Sequence, residues 1–134
     1  MQKLNSTNTM SHPLKPLINN KTMFISIAEK FGTPVYVYDK NQFLKNITTI
    51  KNALSKYFHK SHICYTVKAN SNPSIIKTMK SAVPNLGADC SSPGELYAAQ
   101  LGGISPKDCI YTGNYESEDD LKTALDQTHL FVNV

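Results

Sequence analysis

The sequence predicts an α/β protein built from parallel βα units. Three observations lead there. Short apolar strands centred near Tyr65, Ala88, Ile110 and Phe131 recur every 21 to 23 residues. One segment with helical spacing of apolar residues lies between each pair. The strands are apolar through most of their length, as strands covered on both faces are. A doubly wound open sheet and a (β/α)8 barrel both satisfy this pattern.

Residues 1–20 are polar, with two prolines, and read as a flexible tail. KTMFISIAEKFG predicts a short helix, with Phe24, Ile27, Ala28 and Phe31 on one side and Gly32 and Thr33-Pro34 stopping it. Val35–Asp39 is β-branched and aromatic, hence a strand. Asp39 caps the next helix with Gln42 as capping-box partner. Phe43, Ile47, Ile50, Leu54 and Tyr57 form its stripe, and it ends near Phe58. His62–Val67 is a strand. Asn72-Pro73 starts a helix with inner face Ile75, Ile76, Met79 and Val83. Leu86–Cys90 is a strand. Ser92-Pro93-Gly94-Glu95 is a capping box, opening a helix through Leu96, Ala99 and Leu101 to Gly102-Gly103. Cys109–Thr112 is a strand. Ser117 and Asp120 open a helix through Leu121, Ala124 and Leu125, and residues 129–134 are the last strand.

Composition narrows the function. The 134 residues carry a net charge of +4, and the basic residues are dispersed, so no basic stripe invites nucleic acid. The longest apolar runs are four or five residues, too short to span a bilayer, and the N-terminus has no apolar core of a secretory signal. Three cysteines, Cys64, Cys90 and Cys109, without a CxxC read as reduced, buried residues of a cytoplasmic protein. His59, His62 and Cys64 lack a second ligand pair, so no metal is expected. After the strand at Tyr65 the turn is Lys-Ala-Asn-Ser-Asn, without the glycines of a dinucleotide site, which weakens the open-sheet reading. A whole barrel needs about 250 residues. Four strands are the first half of one, and the expectation is a truncated chain or a partial record of a longer one.

In parallel βα folds the site lies at the C-terminal ends of the strands. Those ends hold Lys68-Ala69-Asn70, Asp89-Cys90-Ser91-Ser92, Thr112-Gly113-Asn114 and Asn133-Val134. A lysine at a barrel's inner rim loses hydration, its pKa falls, and a neutral amine can form a Schiff base with a carbonyl. Asp89 ends the adjacent strand, about 4.8 Å away. The alternative is a solvated lysine beside an aspartate that caps a turn.

FGTPVYVYD, ICYTVKANSNPSIIKTM, LGADCSSPGELYAAQLGG and CIYTGNYES resemble, in order and spacing, the N-terminal half of diaminopimelate decarboxylases, of the pyridoxal-phosphate decarboxylase and alanine-racemase fold group. The resemblance covers roughly residues 24 to 134. It implies a (β/α)8 barrel beginning at residue 40, with residues 21–39 belonging to a β-domain completed by a C-terminal part. It implies pyridoxal 5'-phosphate as cofactor, Lys68 as its Schiff-base lysine, and Asp89, Asn70, Ser91 and Glu95 as residues near it. Ser92 and Glu95 are equally explained as a helix cap. Where the family often has Lys, two positions after Asn114, this chain has Glu116.

The implied reaction is decarboxylation of meso-2,6-diaminoheptanedioate to L-lysine and CO2, the last step of lysine biosynthesis, by a full-length enzyme that is a homodimer. The isolated chain is expected to be inactive, because the ring-stacking His, the glycine-rich phosphate cradle and the Glu for the pyridine nitrogen would lie downstream. His129 opens a strand at the opposite end. A decarboxylase of ornithine, arginine or carboxynorspermidine, a racemase of the same fold group, and a non-catalytic relic are the alternatives.

Overall fold

A computed structural model describes residues 20–127 and 131–133. The tail, His129 and Val134 lie outside the described residues. The chain divides into two units, Met1–Tyr38 and Asp39–Val134.

In the first unit, helix α1 (Lys21–Phe31) ends at Gly32, whose φ of 79° places it in the left-handed region that glycine alone enters freely. Its backbone N–H donates to the Ala28 carbonyl at 2.8 Å. The predicted strand at Val35–Asp39 does not form, and all four residues Val35–Tyr38 are exposed. The composition favours an extended backbone, but a strand also needs a neighbour to complete its hydrogen bonds.

The second unit opens with α2 (Lys40–Tyr57). Asp39 accepts from the backbone N–H groups of Asn41 and Gln42 at 2.8 and 3.1 Å, but Gln42 turns to Asn46, so only half of the expected box forms. Three βα repeats and a fourth strand follow. They comprise β1 (Cys64–Thr66), α3 (Pro73–Ala82), β2 (Gly87–Cys90), α4 (Pro93–Leu101), β3 (Cys109–Thr112), α5 (Glu118–Gln127) and β4 (Phe131–Asn133). A 3-10 turn at Val67–Ala69 follows β1, and another at Pro106–Asp108 precedes β3. β1 is three residues shorter than the sequence predicts: it starts at Cys64 rather than His62, and after Thr66 the chain winds into that turn.

The helix starts are written locally. Asn72-Pro73 and Ser92-Pro93 each join a capping side chain to a proline at the first helical position, where no N–H is missed. Ser117 and Asp120 form a reciprocal box, with the Ser117 hydroxyl donating to the Asp120 carboxylate at 2.7 Å and accepting from its N–H at 3.2 Å.

All strand pairs are parallel, and the order is β1-β2-β3-β4. A doubly wound sheet reverses direction at a switch point. Here every crossover steps the same way, and right-handed crossovers then place all helices on one face, as in a (β/α)8 barrel. Burial agrees. Ala88, Cys90, Cys109 and Tyr111 are buried with Ile76, Met79, Leu96, Ala99, Ile104 and Ala124, whereas Asp89, Ile110 and Thr112 on the other face are half-buried. On α2 only Ile47 of the predicted stripe is buried, and Ile50 and Tyr57 are exposed. Leu101 is exposed as well.

Gly87 marks the tightest approach. A Cβ there would overlap the Asp108 carbonyl oxygen and the His62 ring. At Gly94, by contrast, only Ser92 Oγ comes near, at 3.9 Å. Gly87→Ala is therefore expected to cost about 1–3 kcal/mol, and Gly94→Ala to be neutral or to stabilise by up to about 1 kcal/mol. Urea unfolding of the two variants checks this, and equal midpoints would contradict the close packing at Gly87.

Candidate active site

The C-terminal ends of the strands carry a row of polar side chains. Backbone register pairs Thr66 with Asp89 and Thr112 with Asn133. Asp89 lies between two hydroxyls. Thr66 Oγ1 donates to Asp89 Oδ2 at 3.1 Å, and Thr112 Oγ1 donates to Asp89 Oδ1 at 2.5 Å. One carboxylate thus links the side chains of β1, β2 and β3 on the face that the helices leave uncovered.

Lys68 follows β1 directly, in the 3-10 turn, while its neighbour Val67 is wholly buried. The lysine itself is exposed. The dehydration expected of an amine at a closed rim is absent, because the four strands leave this face open to water. No ion pair joins Lys68 to Asp89 among the described residues.

Asn70 stands just beyond the turn. Its carbonyl accepts from the Tyr65 hydroxyl at 3.0 Å and its Oδ1 from the Asn72 N–H at 3.0 Å, which ties the chain after Lys68 to β1 and to the start of α3. Ser91 donates its N–H and hydroxyl to Glu95 Oε2 at 2.8 and 3.1 Å. Ser92 Oγ accepts from the Glu95 N–H at 3.2 Å. Glu95 and Ser92 are thus engaged in opening α4, and Ser91 is held by them at the mouth. Asn114 is exposed. Among the described residues Glu116 Oε1 is buried without a hydrogen-bond partner, and a Cβ on Gly113 would overlap it.

The structure thus gathers Lys68, Asn70, Asp89, Ser91 and Glu95 at one end of the sheet, with Asp89 on β2 and Lys68 in the turn that follows the adjacent β1. Sequence reasoning placed Thr112 among the strand-end residues without giving it a role, and it missed Thr66. The signal was present: each stands 23 residues from Asp89, one strand repeat before it and one after.

The three cysteines are free thiols. Partial burial pushes the Cys64 thiol above its ordinary pKa, and the negative charge of Asp89 adds to this. A hydrogen bond to Cys109, together with burial, holds the proton on Cys90. Among the described residues no three His, Cys, Asp or Glu side chains are grouped to hold a metal ion, and no helix is long and apolar enough to cross a membrane.

Residues 40–134 match the family described as pyridoxal-dependent decarboxylase, pyridoxal binding domain. The chain is 42% identical over 108 residues to a diaminopimelate decarboxylase of Aquifex aeolicus, covering 81% of this chain and 24% of that protein. It is 40% identical over 101 residues to a diaminopimelate decarboxylase of Thermoplasma acidophilum, covering 75% and 24%. The crystal structure of the Helicobacter pylori diaminopimelate decarboxylase complexed with L-lysine superposes with a TM-score of 0.70 at 36% identity, over 83% of this chain and 27% of that one. The chain spans about a quarter of the length of the curated relatives it matches.

The raised thiol has a testable sign. A group whose folded pKa exceeds its unfolded one adds stability that is complete below the ordinary thiol value, near about 8.5, and is lost as pH rises through the folded value. Iodoacetamide at pH 8 is therefore expected to alkylate Cys64 more slowly in the folded protein than in urea, and Asp89→Asn to speed the folded reaction. Mass spectrometry of the peptides reads both rates. No acceleration in Asp89→Asn would remove the charge of Asp89 as a cause.

Proposed function

The chain belongs to the pyridoxal-dependent decarboxylase family, and from that premise we propose that the whole protein decarboxylates meso-2,6-diaminoheptanedioate (diaminopimelate) to L-lysine with pyridoxal 5'-phosphate as cofactor. One observation carries the reading. Lys68 follows β1 at the same end of the sheet as the Asp89 carboxylate, within the span that matches the pyridoxal binding domain. Two relatives at 40% and 42% identity are diaminopimelate decarboxylases, and the Helicobacter pylori enzyme holds L-lysine, the proposed product. These support diaminopimelate over ornithine or arginine.

The residues present fit the aldehyde end of the cofactor. Lys68 offers an exposed primary amine. Asp89 accepts one hydroxyl on each oxygen, which leaves lone pairs free for a donor at the mouth. Bound pyridoxal phosphate supplies an electron sink for the pair released when CO2 leaves. The chain's own residues hold and aim. Lys68 would hold the cofactor through its amine, at the end of the sheet where the substrate's amino group would enter. Asp89 would present its carboxylate, held by two hydroxyls, on the same side. Asn70 and the Asn72 cap hold the turn that carries Lys68, and Ser91 and Glu95 shape the adjoining wall. Residues 21–39 would belong to a second, β-rich domain.

Borohydride reduction of the cofactor-loaded protein is expected to fix a pyridoxyl mass on Lys68, and Lys68→Ala to carry none. A pyridoxyl mass on another lysine overturns the assignment. Separate incubations with meso-diaminopimelate, ornithine and arginine decide the substrate. Lysine from the first supports the reading, and turnover of only the other two overturns it.

A further inference from the structure

We propose that Thr66 and Thr112 are positioning residues that clamp the Asp89 carboxylate from the strands on either side and fix its orientation toward the cofactor tether. The inference rests on the reading that Lys68 binds pyridoxal phosphate. The clamp itself stands on the geometry.

An aspartate carboxyl rotates freely about its last bond, because that torsion is broad and roughly two-fold. Nothing intrinsic to Asp89 therefore aims its oxygens. The two threonines remove the freedom. Each sits on a different flanking strand, and each donates to a different oxygen. The backbone ladder sets the spacing, since Thr66 is the register partner of Asp89, and Thr112 lies two residues beyond its partner on the other side, Ile110. Both hydroxyl protons are committed to the carboxylate, so a rotation of Asp89 breaks both bonds at once. The field of the carboxylate reaches the same face, where burial raises the Cys64 thiol and the Asp89 charge adds to that rise.

The clamp acts through Asp89, so its signature is spectroscopic. A carboxylate held near the tethered nitrogen favours the protonated, long-wavelength form of the bound cofactor. At fixed pH, the ratio of long- to short-wavelength absorbance is expected to fall about tenfold in Asp89→Asn, as for loss of one pKa unit of charge stabilisation. Thr66→Val and Thr112→Val each lower it by roughly threefold, and the double variant approaches Asp89→Asn. Valine keeps the shape of threonine and removes only the donor. Thr66→Ser and Thr112→Ser keep the donor and remove a methyl, so they retain the ratio.

A merely structural role gives the reverse pattern, with serine lowering the thermal midpoint and valine leaving the absorbance ratio unchanged. That result overturns the proposal. If Asp89→Asn leaves the ratio unchanged while Lys68→Ala abolishes the band, Asp89 does not act on the cofactor and the positioning role falls with it. If Lys68→Ala retains the band, the lysine assignment is at fault and the proposal falls for that separate reason.

Discussion

The Asp89 carboxylate, shared between the hydroxyls of two neighbouring strands, is the interaction around which this end of the sheet is organised. A half-buried carboxylate on a sheet needs partners. β2 is central enough to have a strand on each side, and both supply a hydroxyl at the right height. The arrangement depends on the register, and the register depends on the packed face. Ala88, Cys90, Cys109 and Tyr111 can sit under the helices only if Asp89 and Thr112 face the other way. A slip of one residue would send the carboxylate into the core and a cysteine or tyrosine to the open face.

The two faces therefore carry different duties. Under the helices, small side chains let the layers approach closely. Ala88 and Ala99 are wholly buried, and a Cβ on Gly102 would overlap Ile76. On the open face, the polar row Thr66, Asp89 and Thr112 ends where the loops begin, and the loops bring Lys68, Asn70 and Ser91 to the same end. The carboxylate and its two hydroxyls thus lie on strands, while the Lys68 amine lies on a short turn held by the Tyr65 hydroxyl and the Asn72 N–H.

Much of this was legible in the residues. The 21 to 23 residue repeat marked the strands, and the Asn-Pro and Ser-Pro pairs marked helix starts to the residue. Other features were not. Val35–Asp39 has strand composition, but pairing is a property of what lies beside a segment, and its own residues cannot report that. Ile50 and Tyr57 continue the stripe of α2, but periodicity states only that a face is apolar, not that something covers it. The exposure of Lys68 is of the same kind, because hydration at a rim depends on walls distant in sequence. The pairing of the two threonines with Asp89 was overlooked for a different reason. Threonine in a strand ordinarily reads as β propensity, and only the equal spacing about Asp89 separates these two from that background.

The unreversed strand order has a bearing on how such a chain comes into being. Each strand pairs with the one made just before it, about two dozen residues earlier, and the helices between them start on local caps, two of them with a proline as well. Closing loops of that length carries a modest entropic cost that grows only slowly with length. A polypeptide leaving the ribosome can therefore add one βα unit at a time onto a finished neighbour, without waiting for a distant segment to be translated. Synthesis and folding proceed in the same direction along this stretch of chain.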